Sequence, residues 1–386
     1  MKTDTSNSPY NSQSWLTATA ATTALLGTAA LLYRINWPRL LFRTIFAVLA
    51  PTKERLWPSD DVALVSPQSR GMAWILVAGP PPPHDIHLIR KMMRHFWPHV
   101  WPPIDSNQIQ VESLPTPRED SETILIWPSS STSTFTDSNN NTALIHVHGG
   151  GMVAGTTGTE RGFAVELARR LQVPVLSVDY RLCPEYSVQE AVQDVVDAYQ
   201  YFVTKYPQYT KLSFLGGSAG AGHALLATLQ LQKEKIQPLP TSLVLSSPGP
   251  GMEFLKPIDD IHNSSTTYWK SLTENAPVDG FMVGGFYQYV IGVVFGSNQA
   301  NREYVQSQLQ VSNLQKLPPT LVTAGSYEVI LEGVQKLVSC LQKANVKVDY
   351  KEYQKMQHCH FAFFEWSPES SAALDELITW LQASWK

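Results

Sequence analysis

The sequence predicts an α/β fold, a mostly parallel sheet flanked by helices. Two observations carry that reading. From about residue 108, short apolar runs of strand character alternate with amphipathic helical runs, the pattern of a parallel sheet covered on both faces. Two of the strand runs end in glycine-rich turns, "HGGG" at 148–151 and "GGSAG" at 216–220. The 386 residues, 43% of them apolar, suffice for one large domain with a substantial core, or for a catalytic domain with an appended cap.

Residues 108–114 (QIQVESL) and 123–128 (TILIWP) read as strands, and the polar run 129–142 as a surface loop before the strand 143–148 (ALIHVH). An amphipathic helix over 159–172 leads to a buried strand, 173–180, and a strongly periodic helix, 188–206. The strand 211–217 (KLSFLGG) runs into a helix over 218–235. Strands at 242–248 and 319–325 are separated by a long insertion, 249–312. A helix at 330–345, a strand at 346–354 and a terminal helix at 367–385 complete the alternation. Residues 51–107, rich in Pro and Trp, show no clean period and read as an irregular region with one short helix.

The N-terminal stretch 15–33 carries no charge and has Trp15 and Tyr33 at its ends. A helix needs roughly 20 such residues to cross the hydrocarbon layer, and aromatic rings favour its interfaces. The expectation is an N-terminal anchor within residues 1–34, making a single-pass protein of the endoplasmic reticulum or another endomembrane. A cleaved targeting segment and a soluble helix are the alternatives. Arg34, Arg39 and Arg43 follow the span, and the apolar run 40–50 is too short to cross and suits the membrane surface.

A formal charge of −4 and the lack of any basic block exclude an evident nucleic-acid partner. Cys183, Cys340 and Cys359 are too few and too scattered for a disulfide framework or a zinc cluster. No metal or organic cofactor is implied. Asn140 and Asn263 sit in glycosylation sequons, relevant only if the domain faces a secretory lumen.

Within "GGSAG", Ser218 stands at a strand-to-helix junction, where a sharp turn lifts its Oγ out of the sheet and the helix N-terminus favours negative charge. The triple glycine supplies what acyl transfer needs beside such a nucleophile. A bare main chain can curl so that its N–H groups face a developing oxyanion. Gly149, Gly150 and Gly151, with the N–H of Ala219 after the nucleophile, are the candidate donors.

"HGGG", "DYRLCPE" (179–185) and "GGSAG", in this order and spacing, resemble the hormone-sensitive-lipase branch of the α/β-hydrolases, from about residue 108 to the C-terminus. With the N-terminal stretch, the chain looks closest to fungal membrane-anchored members such as steryl acetyl hydrolases. The resemblance implies an α/β-hydrolase fold over 108–386, with a cap built from residues 35–107 and the insertion 249–312. It also implies the order nucleophile, acid, histidine. The residue matching the acid is Glu328 in "AGSYEVILEG", with Glu332 as its rival; Glu can accept from a histidine Nδ1–H as Asp does. The pattern Met-x-His places the base at His358, although His360 shares its side-chain parity if the segment is extended. His148 is expected to brace the glycine loop, and Asp179, Arg181 and Glu185 to form a charge network beside it. Gly217 departs from the resemblance, which has Asp there; this removes a polar anchor and loosens the turn.

In such an architecture the insertion folds over the site. Tyr268, Trp269, Phe281, Phe286, Tyr287 and Phe295 are candidates to line an apolar pocket, or else to pack the cap's own core. The expected function is hydrolysis of a hydrophobic carboxylic ester by Ser218, His358 and Glu328. Acyl transfer by the same residues, or a catalytically silent ligand receptor on this fold, are the competing readings.

Overall fold

The fully buried strands dictate the centre of the molecule. The computed structural model describes residues 84–105, 107, 109–114, 119–129, 141–249, 279 and 285–386, together with residues 40, 44, 66, 68 and 69. The stretch 15–33, the sequon asparagines Asn140 and Asn263, and Tyr268, Trp269 and Phe281 lie outside the described residues. Among the described residues no helix is long and apolar enough to cross a membrane.

In chain order the strands are β1 (Ile109–Ser113), β2 (Ile124–Pro128), β3 (Thr142–Val147), β4 (Val175–Val178), β5 (Lys211–Gly217), β6 (Ser242–Ser246), β7 (Thr320–Gly325) and β8 (Val348–Tyr353). The principal helices are α1 (Ile86–Phe96), α2 (Thr157–Leu171), α3 (Val188–Lys205), α4 (Ala219–Glu234), α5 (Phe286–Ile291), α6 (Gln299–Gln308), α7 (Leu331–Lys343) and α8 (Pro368–Ser384).

The strands form one sheet in the order β1-β2-β4-β3-β5-β6-β7-β8. The first two pair antiparallel with their neighbours, and every pairing from β4 to β8 is parallel. The mostly parallel sheet is therefore as the sequence reads, with strand and helix ends within a few residues of the expected ones. Alternate residues feed opposite faces, the two-residue period of a strand. Ala143, Ile145 and Val147 of β3 join the cluster under α3, α4 and α7, while Leu144 joins the one under α2 and α8. Both faces being covered explains why β3, β4 and β6 are buried at every position.

Local chemistry sets the helix starts. Thr156 and Thr159 form a reciprocal capping box at α2, Ser187 and Glu190 another at α3, and the Ser367 side chain accepts from Ser370 N at α8. Helices α4, α5 and α7 have no side-chain cap. At α4, Ser218 occupies the N-cap position with φ 54° and ψ −123°, and its hydroxyl does not cap the helix.

Candidate active site

The turn at Ser218 exists because its neighbours are glycines. A Cβ on Gly220 would stand 2.0 Å from the Val147 carbonyl oxygen, and one on Gly216 2.3 Å from the main chain of Gly220. Only bare backbone lets β3, β5 and α4 approach this closely. The chain reverses within one residue, Ser218, at a positive φ that side chains rarely adopt. The Ser218 amide donates to Ser246 O on β6 at 2.9 Å, which pins the turn to the sheet.

With no helix amide to serve, Ser218 Oγ lies 2.9 Å from His358 Nε2. His358 Nδ1 lies 2.9 Å from Glu328 Oε2. Glu328 is fully buried, and its other oxygen accepts from the Ser247 hydroxyl at 2.7 Å and from Gly325 N at 2.5 Å. Ser247 Oγ also accepts from the Cys359 amide at 3.2 Å, so one hydroxyl ties the acid to the histidine loop. Burial works against an imidazolium at His358, but contacts with Cys359 and the Glu328 carboxylate outweigh it and raise its pKa well above the ordinary value. The arrangement can take the Ser218 proton onto Nε2 while the carboxylate holds Nδ1–H, the geometry of an activated hydroxyl nucleophile.

The two rival residues lie elsewhere. Glu332 belongs to the first turn of α7. His360 starts a 3-10 turn, because Cys359 adopts the left-handed conformation and the segment is not extended; the parity argument does not apply. The His360 ring packs edge-on to Tyr353, and burial lowers its pKa to about 4.

The triple-glycine segment meets the nucleophile: a Cβ on Gly149 would stand 3.5 Å from Ser218 Cβ. One expected donor is corrected, however. Gly149 N–H is engaged by Glu160 Oε1 at 3.0 Å, so it cannot face an oxyanion. The N–H groups of Gly150, Gly151 and Ala219 have no acceptor among the described residues. Gly150, at φ 125°, bends the loop, and its carbonyl accepts from Val153 and Ala154. Glu160, from the first turn of α2, is a residue the sequence reading missed. Burial pushes its carboxyl up, yet hydrogen bonding and charge at His146, with help from His148 and the Gly149 amide, hold it below the usual range. Its only sequence signal is an acidic residue in a helix's first turn.

His148 braces the loop as expected: Nδ1 lies 2.8 Å from Gly149 O, the ring stacks on Tyr180, and Tyr180 donates its hydroxyl hydrogen to His148 O. Burial lowers the pKa of His148, which favours the neutral ring. The charge network among Asp179, Arg181 and Glu185 is not what forms. Arg181 turns to Asp194 and Glu190 on α3, Glu185 pairs with Arg90 on α1, and Asp179 accepts from the Glu122 amide. The reason is reach: α3 and α1 lie directly against the loop, so each charge has a nearer partner off it. At Gly217, where the resemblance has Asp, the Phe361 ring stands close by. A Cβ there would stand 3.1 Å from Phe361 Cζ, so an aromatic edge occupies the room a larger side chain would need.

A second missed residue comes from the insertion. Asp279 is fully buried, accepts from Val329 N at 3.0 Å and from His358 N at 3.4 Å, and has its pKa raised by burial to about 6. Nothing in "APVDGF" marks it. Of the expected pocket residues, Tyr287 and Phe295 are buried in the larger hydrophobic cluster, and Phe286 packs against it half-exposed. Their neighbour Val290 on α5 reaches the glycine loop, 3.1 Å from where a Gly151 Cβ would stand.

Comparison with known proteins bears on the family, the activity and the fold. The family described as "alpha/beta hydrolase fold" matches residues 144–362. The chain is 29% identical to an esterase of Acinetobacter venetianus over 243 residues, 61% of this chain and 72% of that one. It is 25% identical to an acetyl-hydrolase of Streptomyces hygroscopicus over 232 residues, 60% of this chain and 72% of that one. A crystal structure of an esterase from the bacterial hormone-sensitive lipase family superposes with a TM-score of 0.66 at 24% identity, covering 82% of this chain and 96% of that one, a likeness of fold.

Proposed function

This chain belongs to the alpha/beta hydrolase fold family and is a carboxylic ester hydrolase, and from that premise we propose that it works through Ser218, His358 and Glu328 on a hydrophobic ester. The observation that carries the reading is the unbroken relay from Ser218 Oγ through the imidazole to a buried carboxylate, with two distances of 2.9 Å.

In this reading Ser218 Oγ attacks the ester carbonyl as His358 Nε2 takes its proton. The tetrahedral oxyanion sits against the N–H groups of Gly150, Gly151 and Ala219, each such donor being worth about 3–4 kcal/mol in the transition state. His358 returns the proton to the leaving alcohol, and water then repeats the sequence on the acyl-enzyme. Glu328 keeps Nδ1 protonated and stabilises the imidazolium.

The acyl group is small, an acetyl in the first instance. Support comes from the Streptomyces acetyl-hydrolase and from Val290, which narrows the space beside Gly151. The alcohol is hydrophobic, and a sterol-like alcohol fits the resemblance to fungal steryl acetyl hydrolases. Residues 35–107 and 249–312 form the cap in this reading. A single-pass anchor at 15–33 in an endomembrane would hold the enzyme beside membrane-dissolved substrate; its support is the charge-free sequence.

A panel of acetyl to long-chain esters, including acetylated sterols, run on wild type and Ser218→Ala, tests the proposal. Hydrolysis falling with acyl length and absent in Ser218→Ala is expected. Failure of a fluorophosphonate to label Ser218 would instead favour a silent receptor.

A further inference from the structure

A second string of polar side chains runs behind the glycine loop. His146 lies within β3 on the face that α2 covers, where Leu144, two positions back, is apolar. Strands buried on both faces ordinarily carry apolar residues, and a polar ring there is costly unless it is bonded. His146 is fully buried, and its ring is held at each nitrogen. Nδ1 lies 3.1 Å from the hydroxyl of Ser177, its register partner on β4. Nε2 stands 3.2 Å from Glu160 Oε2, approached obliquely. Phe163 of α2 packs edge-on to the ring, with centres 5.7 Å apart. The other oxygen of Glu160 takes the Gly149 N–H at 3.0 Å and lies 3.3 Å from where a Gly149 Cβ would stand.

We propose that His146 is a positioning residue for the reaction: oriented by Ser177, it presents Nε2–H to Glu160 and so fixes the carboxylate that holds the glycine loop against Ser218. The inference rests on the ester-hydrolase reading and deepens it. In this arrangement the Ser177 hydroxyl donates to Nδ1, which leaves the ring proton on Nε2. Each oxygen of the carboxylate then faces an N–H, the condition under which a largely buried anion stays in place. Burial alone would raise the Glu160 carboxyl, and the contacts with His146 are foremost among those that outweigh it. Gly149 is thereby fixed, and the amides of Gly150 and Gly151 that follow it stay turned to the oxyanion.

The same carboxylate works against the reaction without its partner. A negative charge beside amides that receive an oxyanion opposes the charge developing there, and the opposition is strong in a water-excluded site. His146 thus acts on the position of Glu160 and on its field. A ring that only filled the core would do neither, since Leu144 and Phe163 would pack as well on an apolar side chain of similar size. Loss of His146 should accordingly be repaired in part by removing the charge of Glu160, whereas two independent packing defects would add.

The test uses the full chain, a water-soluble short-chain ester and a trifluoromethyl ketone inhibitor. Ser218 Oγ adds to the ketone carbon, its proton passes to His358, and the carbonyl oxygen becomes an oxyanion beside the glycine loop. The inhibition constant therefore reports oxyanion binding and is independent of the fraction of enzyme that folds. In His146→Leu it should rise at least about ten-fold, with kcat falling in step and KM within about two-fold, a part of the roughly 10²–10³-fold that an outright lost donor costs. His146→Leu/Glu160→Gln should regain at least about three-fold of that loss. His146→Gln, which keeps a side-chain N–H, should regain most of it. Ser177→Ala, a smaller change that serves where His146→Leu does not fold, should raise the constant about three-fold. An unchanged constant in His146→Leu, or in Ser177→Ala where it stands alone, overturns the proposal. A double variant no better than His146→Leu also overturns it. Wild type that neither hydrolyses the ester nor binds the ketone would instead remove the hydrolase reading, and the proposal with it.

Discussion

Asp279 Oδ1 accepts a hydrogen bond from the main-chain N–H of His358 across 79 positions of sequence. Its other oxygen takes the N–H of Val329, the residue after Glu328. One carboxyl from the insertion thus holds the backbone beside both members of the buried ion pair. Asp279→Ala leaves two buried N–H groups without their acceptor. Because a displacement of about 1 Å can cost up to about 10²-fold in rate, kcat should fall by up to that factor. KM for a small soluble ester should stay near wild type, and Asp279→Asn, which keeps an acceptor, should recover most of the loss. The raised pKa has a signed consequence for stability. The Asp279 contribution is full below its ordinary value of 3.8 and is lost as pH rises through about 6. Denaturant titrations across that window should show a flatter profile for Asp279→Asn.

The pH dependence of turnover follows from His358. Neutral imidazole accepts the Ser218 proton, so kcat/KM rises with pH as His358 loses its own. Since its pKa is raised well above 6.5, that limb should lie above the position expected of a free imidazole. Glu328→Gln removes the negative partner. It should move the limb to lower pH and cut kcat by roughly 10⁴-fold. A pH–rate profile of both proteins reads both effects.

Glu160 predicts a loop defect without loss of the nucleophile. Glu160→Ala strands the buried Gly149 N–H, costing about 1–3 kcal/mol of stability. The glycine loop is then free to turn, and the rate should drop while fluorophosphonate still labels Ser218. Glu160→Gln retains an acceptor and should behave closer to wild type.

Gly217 and Phe361 should be coupled. Gly217→Asp drives a side chain against the ring edge 3.1 Å away, an overpacking that costs about 1–3 kcal/mol. Phe361→Ala opens that space, so the double variant should be more stable than the sum of the two single losses allows. Thermal melts of the four proteins measure the difference.

What was legible in the sequence was whatever a local pattern encodes. The strand-helix alternation gave the sheet, and a serine between glycines at a strand end gave the nucleophile, because steric crowding at 216 and 220 leaves few other residues possible. His358 and Glu328 were legible only through resemblance, since a histidine and an acid carry no mark of their role. The choice over His360 turned on the backbone of Cys359, which no parity rule anticipates. Glu160 and Asp279 were illegible for a different reason. Each acts on a main-chain N–H far along the chain, and such a contact leaves no spacing to read.

The insertion's grip on the histidine loop also bears on how relatives of this enzyme can diverge. A substrate-selecting segment that only overhung a site could be exchanged between homologues as a module. In the proposed reading, in which the insertion selects the substrate, the exchanged piece must also bring a carboxyl to the same point, and specificity and turnover are inherited together.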